Sequence, residues 1–193
     1  MSVLHFEERV AIITGAGGGL GRSHALELAR RGARVVVNDV GRSVHGDGAS
    51  TDAAQAVVDE ITACGGTAVP NHDTVATTEG GQAIVQAALD AFGRVDILIN
   101  NAGILRDKAF HKMDSHMIDS VVDVHLNGAL FVSQPAFRVM RENGYGRIVN
   151  TRRPQGSSAI SAKPTTVPRK PGSPVSPGCW RSKERPTASR STP

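Results

Sequence analysis

A glycine-rich segment, TGAGGGLG at residues 14–21, is the clearest chemical signal in this sequence. It lies between a short apolar run and a segment with helical periodicity. There, glycine lets backbone N–H groups approach a phosphate, and the helix dipole attracts negative charge. Asp39 follows about 20 residues later, the spacing at which a carboxylate binds the ribose of NAD and repels the 2′-phosphate of NADP. The pattern predicts a dinucleotide site that prefers NAD.

Two alternatives remain open at this site. A carboxylate such as Asp39 also caps helices and turns, where it binds backbone N–H groups instead of a ribose. Arg22 and Arg42 lie close enough in sequence to meet a 2′-phosphate, so NADP remains the weaker alternative to NAD.

The elements that would position these residues alternate between strand and helix through residue 150. Short apolar runs predict buried strands, and segments with helical spacing separate them. In the first helix, Leu20, His24, Leu28 and Arg31 share that spacing. Repeated βαβ units predict an α/β fold with a Rossmann-type, doubly wound parallel sheet. The predicted strands are 9–15, 34–39, 67–70, 94–103 and 146–150, and the predicted helices are 20–31, 50–66, 78–92 and one or two within 114–143.

A second motif extends the pattern, and together the two resemble the short-chain dehydrogenase/reductase family. The glycine segment matches the family pattern TGxxxGxG, and NNAG follows the fourth predicted strand at residues 100–103. The resemblance implies that Asp73, after the third strand, contacts adenine, although an Asp in a loop is also a common turn former. The implied cofactor-binding residues are Thr14, Gly15, Gly19, Leu20, Gly21, Asp39, Asp73, Asn101, Ala102 and Gly103.

Within that family, three stretches look like the dehydrogenase unit of multifunctional (3R)-hydroxyacyl-CoA dehydrogenases of β-oxidation. They are VVNDVG, ALDAFGRVDILINNAGILRD and VHLNGALF, and the resemblance covers residues 8 to 151. It implies an NAD-dependent oxidoreductase acting on a small-molecule secondary alcohol or ketone, such as a 3-hydroxyacyl-CoA. It also implies a homo-oligomer whose interface helix would follow residue 151.

The family's catalytic Ser, Tyr and Lys are not reproduced. The Ser is expected where the chain has Arg153, and the Tyr where it has Thr166. Lys170 matches in type, but prolines on both sides keep it out of the helical turn that would aim it at a Tyr. We assign no catalytic residue and expect the chain to be inactive.

The family's further catalytic Asn is also replaced, by His125 in the segment VHL. This histidine would either donate a hydrogen bond within a water chain or pack against a neighbouring helix.

The composition changes after residue 150. Residues 1–150 contain 13 Lys+Arg and 17 Asp+Glu, a net charge of −4, whereas residues 151–193 contain 9 and 1, a net charge of +8. Eight of the ten prolines lie in this second part. We predict an NAD-binding domain at 1–150, truncated after about five strands, and a disordered Pro/Ser/Arg-rich tail at 151–193. The fifth strand would then be an exposed edge, and the protein would tend to aggregate.

A one-base change of reading frame explains the tail. With wobble bases that the sequence permits, rereading residues 152–192 places Ser at position 153, Tyr at 166 and Lys at 170. The alternative is a non-catalytic nucleotide-binding fragment whose basic tail binds nucleic acid or an acidic surface. That alternative is weaker, because Trp180 is the tail's single aromatic residue and no nucleic-acid-binding motif is present.

The remaining features concern location and metals. Cys64 and Cys179 lack the spacing of a disulfide framework, which favours a reducing compartment. No signal peptide and no apolar run of about 18 residues is found, and the C-terminal Ser-Thr-Pro is not a peroxisomal signal. We therefore expect a cytoplasmic protein that does not bind membranes. The histidines lack ligand spacing, so we predict no metal site.

Overall fold

The sheet consists of five strands, β1 (Val10–Thr14), β2 (Arg34–Asn38), β3 (Thr67–Asn71), β4 (Ile97–Asn100) and β5 (Arg147–Asn150). They belong to a computed structural model that describes residues 4–41, 52–106 and 108–151. All neighbouring pairs are parallel, and the strand order is β3-β2-β1-β4-β5. The order therefore reverses between β1 and β4, as in a Rossmann-type sheet. The predicted fold class is confirmed.

Helices separate the strands along the chain, as the βαβ pattern predicts. The α-helices are α1 (Gly19–Arg30), α2 (Asp52–Ala63), α3 (Thr78–Phe92), α4 (Ser115–Val122) and α5 (Gly128–Glu142). A 3-10 turn covers Phe110–Lys112, and a π-helical segment, Asp123–Asn127, joins α4 to α5. The one or two helices predicted within 114–143 therefore form one continuous helical stretch with a wider turn in the middle. Within the described residues, no helix is both long and apolar enough to cross a membrane.

The apolar runs of β1 and β2 form the centre of the core. Val10 through Ile13 and Val35 through Val37 are fully buried, because helices cover both faces of a parallel sheet. One core cluster joins β1 and β4 to α3 and α5. Glycine lets these two helices pack closely, since a Cβ added at Gly81 would lie 2.5 Å from the carbonyl oxygen of Phe131.

Local signals place some boundaries well. The prediction for α3 is confirmed at both ends, where the Thr77 hydroxyl accepts a hydrogen bond from Gly80 N–H and Gly93 adopts a left-handed conformation. The strand predicted at 94–103 is wrong at its ends, because β4 comprises only residues 97–100. Before it, Asp96 forms ion pairs with arginines, and after it, Asn101 turns back towards β1.

The packed face of α1 also differs from its apolar spacing. Leu20 is 69% exposed, whereas Gly21, Ala25 and Ala29 are buried. Small side chains bring the helix close to the sheet, so larger residues on the neighbouring face stay at the surface.

The fifth strand is an edge of the described sheet, as predicted. Ile148 and Val149 are 36% and 48% exposed, and Phe137 of α5 nearby in sequence is 58% exposed. The apolar pattern of residues 146–150 therefore does not indicate a buried strand. The predicted tail, including Arg153, Thr166, Lys170 and Trp180, lies outside the described residues, as does Arg42.

Candidate nucleotide-binding site

The glycine-rich segment connects β1 to α1 at the carboxyl end of the sheet, next to the point where the strand order reverses. Gly15 has a φ of +62°, and a Cβ there would lie 2.8 Å from Ala102 Cα. Gly21 is equally restricted, because an added Cβ would overlap the carbonyl oxygen of Gly15. These two glycines let the turn pack tightly against the NNAG segment.

The N-terminus of α1 is open by contrast. Its N-cap residue, Gly18, makes no side-chain capping bond, and the first turn contains no acidic residue. A Cβ added at Gly18 or Gly19 would meet no atom of the described residues within 4 Å. Free N–H groups at a helix N-terminus with open space in front form a favourable environment for a phosphate.

Asp39 follows β2 and faces the glycine turn. Its carboxylate accepts hydrogen bonds from Gly17 N–H at 2.9 Å and from Gly41 N–H at 2.8 Å, each through a different oxygen. The turn-capping alternative is therefore present in the structure. Each carboxylate oxygen keeps a second lone pair, and the residue is only half-buried, so the same side chain can also accept a hydrogen bond from a ribose hydroxyl.

Arg22 is engaged elsewhere. Its Nε and Nη2 donate to the two oxygens of Glu60 on α2, at 3.1 and 2.7 Å. A guanidinium held in this fork geometry has its preferred carboxylate partner already in place. Arg22 would therefore have to give up its pairing with Glu60 to bind a 2′-phosphate.

Asp73 belongs to a network of amides at the ends of β2 and β3. Asn38 Nδ2 donates to Asn71 Oδ1 at 2.7 Å and to the carbonyl oxygen of Asp73 at 2.8 Å. Asn71 Nδ2 in turn donates to Asp73 Oδ2 at 2.7 Å. Both asparagines are buried. Sequence reasoning missed them, although a polar residue closing each buried strand was the available signal.

Thr14 joins the glycine turn to the NNAG segment. Its Oγ1 accepts hydrogen bonds from the N–H groups of Asn101 and Ala102, both at 3.0 Å. The side-chain amide of Asn101 donates to the carbonyl oxygens of Thr14 and Gly15, also at 3.0 Å. These predicted site residues therefore fix the two halves of the site to each other.

Asn100, the first residue of the motif, lies behind this contact. Its Nδ2 donates to Ser133 Oγ at 2.9 Å and to Asn150 Oδ1 at 2.8 Å, whereas its buried Oδ1 has no partner in the described structure. Asn100 also lines a cavity of about 50 Å³ together with His125 and Thr151. An unpaired carbonyl beside a polar cavity of this size suits one or two ordered waters.

His125 lies in the π-helical segment and does not pack between helices. It is exposed, and its Nε2 is 3.1 Å from the backbone nitrogen of Ile104 and 2.9 Å from the carbonyl oxygen of the same residue. The ring also covers Gly103, where a Cβ would lie 2.7 Å from His125 Cε1. This contact with the loop after NNAG was not predicted from the sequence.

A carboxyl group with a lowered pKa lies at the amino end of the sheet, opposite the glycine turn. Burial alone would raise the pKa of Asp96, but hydrogen bonds from Arg94, Val10 N–H and Arg9 outweigh it and hold the pKa below its usual range. Arg9 also stacks on Tyr145, 3.8 Å from the ring centroid. This cluster joins β1, β4 and the turn before β5, and its contacts are structural.

The structure thus brings together most of the predicted residues. Thr14, Gly15, Gly21, Asn101 and Ala102 contact one another, Asp39 contacts the same turn through Gly17, and Gly103 lies under His125. Asp73 contacts the strand ends, whereas Gly19 and Leu20 face open space at the helix N-terminus.

Comparisons with known proteins agree with this arrangement. A model of the short chain dehydrogenase family matches residues 9–164. The chain is 56% identical over 148 residues to peroxisomal multifunctional enzyme A of Dictyostelium discoideum, covering 77% of this chain and 33% of that relative. It is 54% identical over 153 residues to the peroxisomal hydratase-dehydrogenase-epimerase of Saccharomyces cerevisiae, covering 79% and 17%. The chain therefore spans a third or less of these two relatives.

A solved structure extends the comparison to the fold. It is a 7α-hydroxysteroid dehydrogenase complexed with NADH and 7-oxo glycochenodeoxycholic acid, 34% identical with a TM-score of 0.68, over 76% of this chain and 53% of that one. The resemblance to the dehydrogenase unit of multifunctional enzymes is confirmed by the two relatives above. Since the family model covers most of its length, this chain belongs to the short chain dehydrogenase family.

Proposed function

We propose that residues 1–150 form the NAD-binding part of an oxidoreductase that acts on a secondary alcohol or ketone such as a 3-hydroxyacyl-CoA. The observation that carries the proposal is the open, uncapped N-terminus of α1 beside the carboxylate of Asp39. One feature suits a pyrophosphate and the other a ribose, and together they match the two polar parts of a dinucleotide. The word dehydrogenase in the yeast relative's name and the 7-oxo compound in the compared hydroxysteroid dehydrogenase support a secondary alcohol or ketone. The 3-hydroxyacyl-CoA is proposed from the sequence resemblance.

The residues would share the cofactor as follows. N–H groups of Gly19 and Leu20 would bind the pyrophosphate, Asp39 the adenosine ribose, and Asp73 the adenine. The segment from Asn101 to Gly103 lies beyond the reversal of strand order and would contact the nicotinamide half. The bound nicotinamide would accept the hydride that a secondary alcohol loses on oxidation.

NAD is the proposed form of the cofactor. A carboxylate at Asp39 repels a 2′-phosphate, and the guanidinium of Arg22 is already paired with Glu60. Both features disfavour NADP.

We further propose that this chain does not catalyse hydride transfer. Oxidation of an alcohol also requires a base that takes the hydroxyl proton, and the positions where the family has Ser and Tyr are Arg153 and Thr166. We attribute the sequence of 151–193 to a changed reading frame. Resequencing codons 145 to 170 tests this directly, because a missing or extra base would restore Ser at 153 and Tyr at 166.

Location and assembly follow the same reasoning. We propose a reducing, cytoplasmic compartment. Two compared relatives carry "peroxisomal" in their names, so the competing location is the peroxisome. Cell fractionation with a tagged full chain would distinguish the two. We propose that this chain does not form the homo-oligomer of the family. The interface helix would follow residue 151, where this chain has the Pro/Ser/Arg-rich sequence instead. Nothing in the described residues favours nucleic-acid binding.

The test of the site is calorimetric titration of the full chain with NADH and NADPH. We expect NADH to bind and NADPH to bind at least tenfold more weakly. Gly18→Asp places a carboxylate at the N-cap, where the extended backbone tolerates a side chain and no atom of the described part of the chain lies within 4 Å. It should weaken NADH at least tenfold by repelling the pyrophosphate, without loss of stability. Gly18→Ser, which caps without charge, is the matched control, and equal NADH affinity in Gly18→Asp and Gly18→Ser would contradict the proposed site.

A further inference from the structure

We infer that the free edge of β5 is a docking site for an extended acidic segment of another protein, which would add to the sheet as a further strand. The inference goes beyond the proposed function, because it assigns a binding partner to a surface outside the cofactor site. Three features carry it: the direction of the backbone groups of β5, the groove beside the strand and the charge around that groove.

The backbone of β5 is paired on one side. Arg147 N–H donates at 2.9 Å to the carbonyl oxygen of Asp96, which directly precedes β4. Backbone groups of successive residues in a strand point to opposite sides, so the N–H and C=O groups of Ile148 and Asn150 point away from β4. Within the described residues, no strand pairs with β5 on that side. Unpaired groups of this kind are a template for another strand.

A groove of about 690 Å³ lies beside this edge, between the end of α5 and the start of β5. Phe137 and Met140 of α5 and Ile148 of β5 form its apolar part, and the first and last of these side chains are exposed. In a strand added to β5, every second side chain would lie on the same face of the sheet as α5. Apolar side chains at those positions would enter the groove, as in other complexes formed by strand addition.

The groove is also basic. Arg141 and Arg147 line it, and neither forms an ion pair with a carboxylate of the described residues. Arg147 instead donates through Nη1 to the carbonyl oxygen of Gly146 at 2.8 Å, and its guanidinium lies 5.1 Å from the centroid of the Tyr145 ring. A guanidinium without a carboxylate partner is suited to bind one from another molecule.

This charge favours one occupant over the others. Residues 137–151 contain three arginines and one acid, Glu142, and Arg152 and Arg153 follow in the sequence. A second copy of the chain would bring the same arginines to the contact, and residues 151–193 of this chain have a net charge of +8. Like charges weaken both of these contacts, whereas acidic residues at the ends of an added strand would be attracted. The partner we infer therefore has acidic residues on both sides of an alternating apolar stretch.

The test is fluorescence anisotropy of labelled peptides of about eight residues, a common strand length, added to the full chain. The first peptide has alternating valine and threonine between paired glutamates, and the second has lysines in place of the glutamates. The third keeps the glutamates but carries a methyl group on every backbone nitrogen of the central stretch. We expect the first peptide to bind at least tenfold more tightly than either of the others, because binding requires both the negative charge and the backbone N–H groups.

Variants of the chain test the arginines. Arg141→Gln combined with Arg147→Gln should weaken the first peptide roughly threefold to tenfold, the effect of two exposed ion pairs. Arg138→Gln is the matched control, because Arg138 is an exposed residue of the same helix and is not among the residues that line the groove. It should retain the affinity for the peptide. Thermal unfolding curves for each variant verify that the protein is folded.

Each alternative outcome overturns a stated part of the inference. Equal affinity for the glutamate and lysine peptides would overturn the charge argument, and equal affinity for the methylated peptide would overturn strand addition. A short oligodeoxythymidine that binds as tightly as the first peptide would show that the edge attracts any polyanion. If no peptide binds, the docking site is overturned as a whole. The titrations with NADH and NADPH do not depend on this edge, so the cofactor site stands or fails separately.

Discussion

Asp39→Asn decides between a carboxylate that only caps the glycine turn and one that also selects the cofactor. In the structure, both carboxylate oxygens accept backbone hydrogen bonds, from Gly17 at 2.9 Å and Gly41 at 2.8 Å. An amide has one oxygen, so one of these N–H groups would face an NH2 group. Because the site is half-buried, we expect a loss of about 1 kcal/mol in the free energy of unfolding.

The two roles of Asp39 make different predictions for binding. At about 2–4 °C per kcal/mol for a domain of this size, the unfolding temperature of Asp39→Asn should fall by a few degrees in either case. If the carboxylate also repels a 2′-phosphate, removing its charge should weaken NADH and strengthen NADPH, so that their affinity ratio changes by roughly tenfold or more.

Paired titrations with NADH and NADPH, together with a thermal unfolding curve for each protein, measure both effects. Asp90→Asn on the outer face of α3, far along the chain from the glycine turn, is the charge-matched control. If the affinities for NADH and NADPH fall in parallel, Asp39 acts only as a cap, and the argument for NAD over NADP is refuted.

Three further predictions concern the scaffold around the site. Asp96 has a lowered folded-state pKa, so its contribution to stability is present above the ordinary Asp pKa of about 3.9 and is lost as the pH falls further. Asp96→Asn should therefore cost about 2–3 kcal/mol in the free energy of unfolding near pH 7 and flatten the acid denaturation curve. An unchanged acid limb of that curve would contradict this. Gly81→Ala should destabilise the protein by about 1–3 kcal/mol in urea unfolding, because the new methyl group would collide with the carbonyl oxygen of Phe131. Gly65→Ala should cost about 1 kcal/mol by backbone strain alone, because φ is +82° there and the added Cβ would contact no described atom. Val149→Lys on the exposed strand β5 should reduce the particle size measured by light scattering, because a charge on an edge strand opposes self-association. An unchanged particle size at equal concentration would show that self-association does not use this edge.

Much of the scaffold was predictable because its signals are local. α3 begins at a threonine that caps it and ends at a glycine with positive φ, so both boundaries can be read from adjacent residues. The turn from β1 into α1 is similar, since its glycines and the following helix occupy one short stretch. The sequence predicted a Rossmann-type parallel sheet but not the order of its strands, because that order depends on how the βαβ units pack.

Other features required contacts between distant parts of the chain. Asn38, Asn71 and Asn100 read as ordinary strand ends. Only the alignment of carboxyl ends in a parallel sheet pairs the amide of Asn38 with Asn71 and that of Asn100 with Asn150. Similarly, Leu20 fits an apolar helical face, yet the close packing of α1 on the sheet buries Ala25 and Ala29 instead.

The sequence by itself determined the family, the parallel α/β scaffold and the glycine turn with its acidic partner, because each follows from short-range patterns of glycine, charge and apolar residues. The tertiary structure decided what those residues contact. Asp39 accepts a hydrogen bond from the glycine turn, 22 residues earlier in the chain, and Glu60 pairs with Arg22. His125, in the π-helical segment, contacts Ile104. Such contacts depend on the angle and spacing of packed elements, which side-chain identity along the chain does not specify.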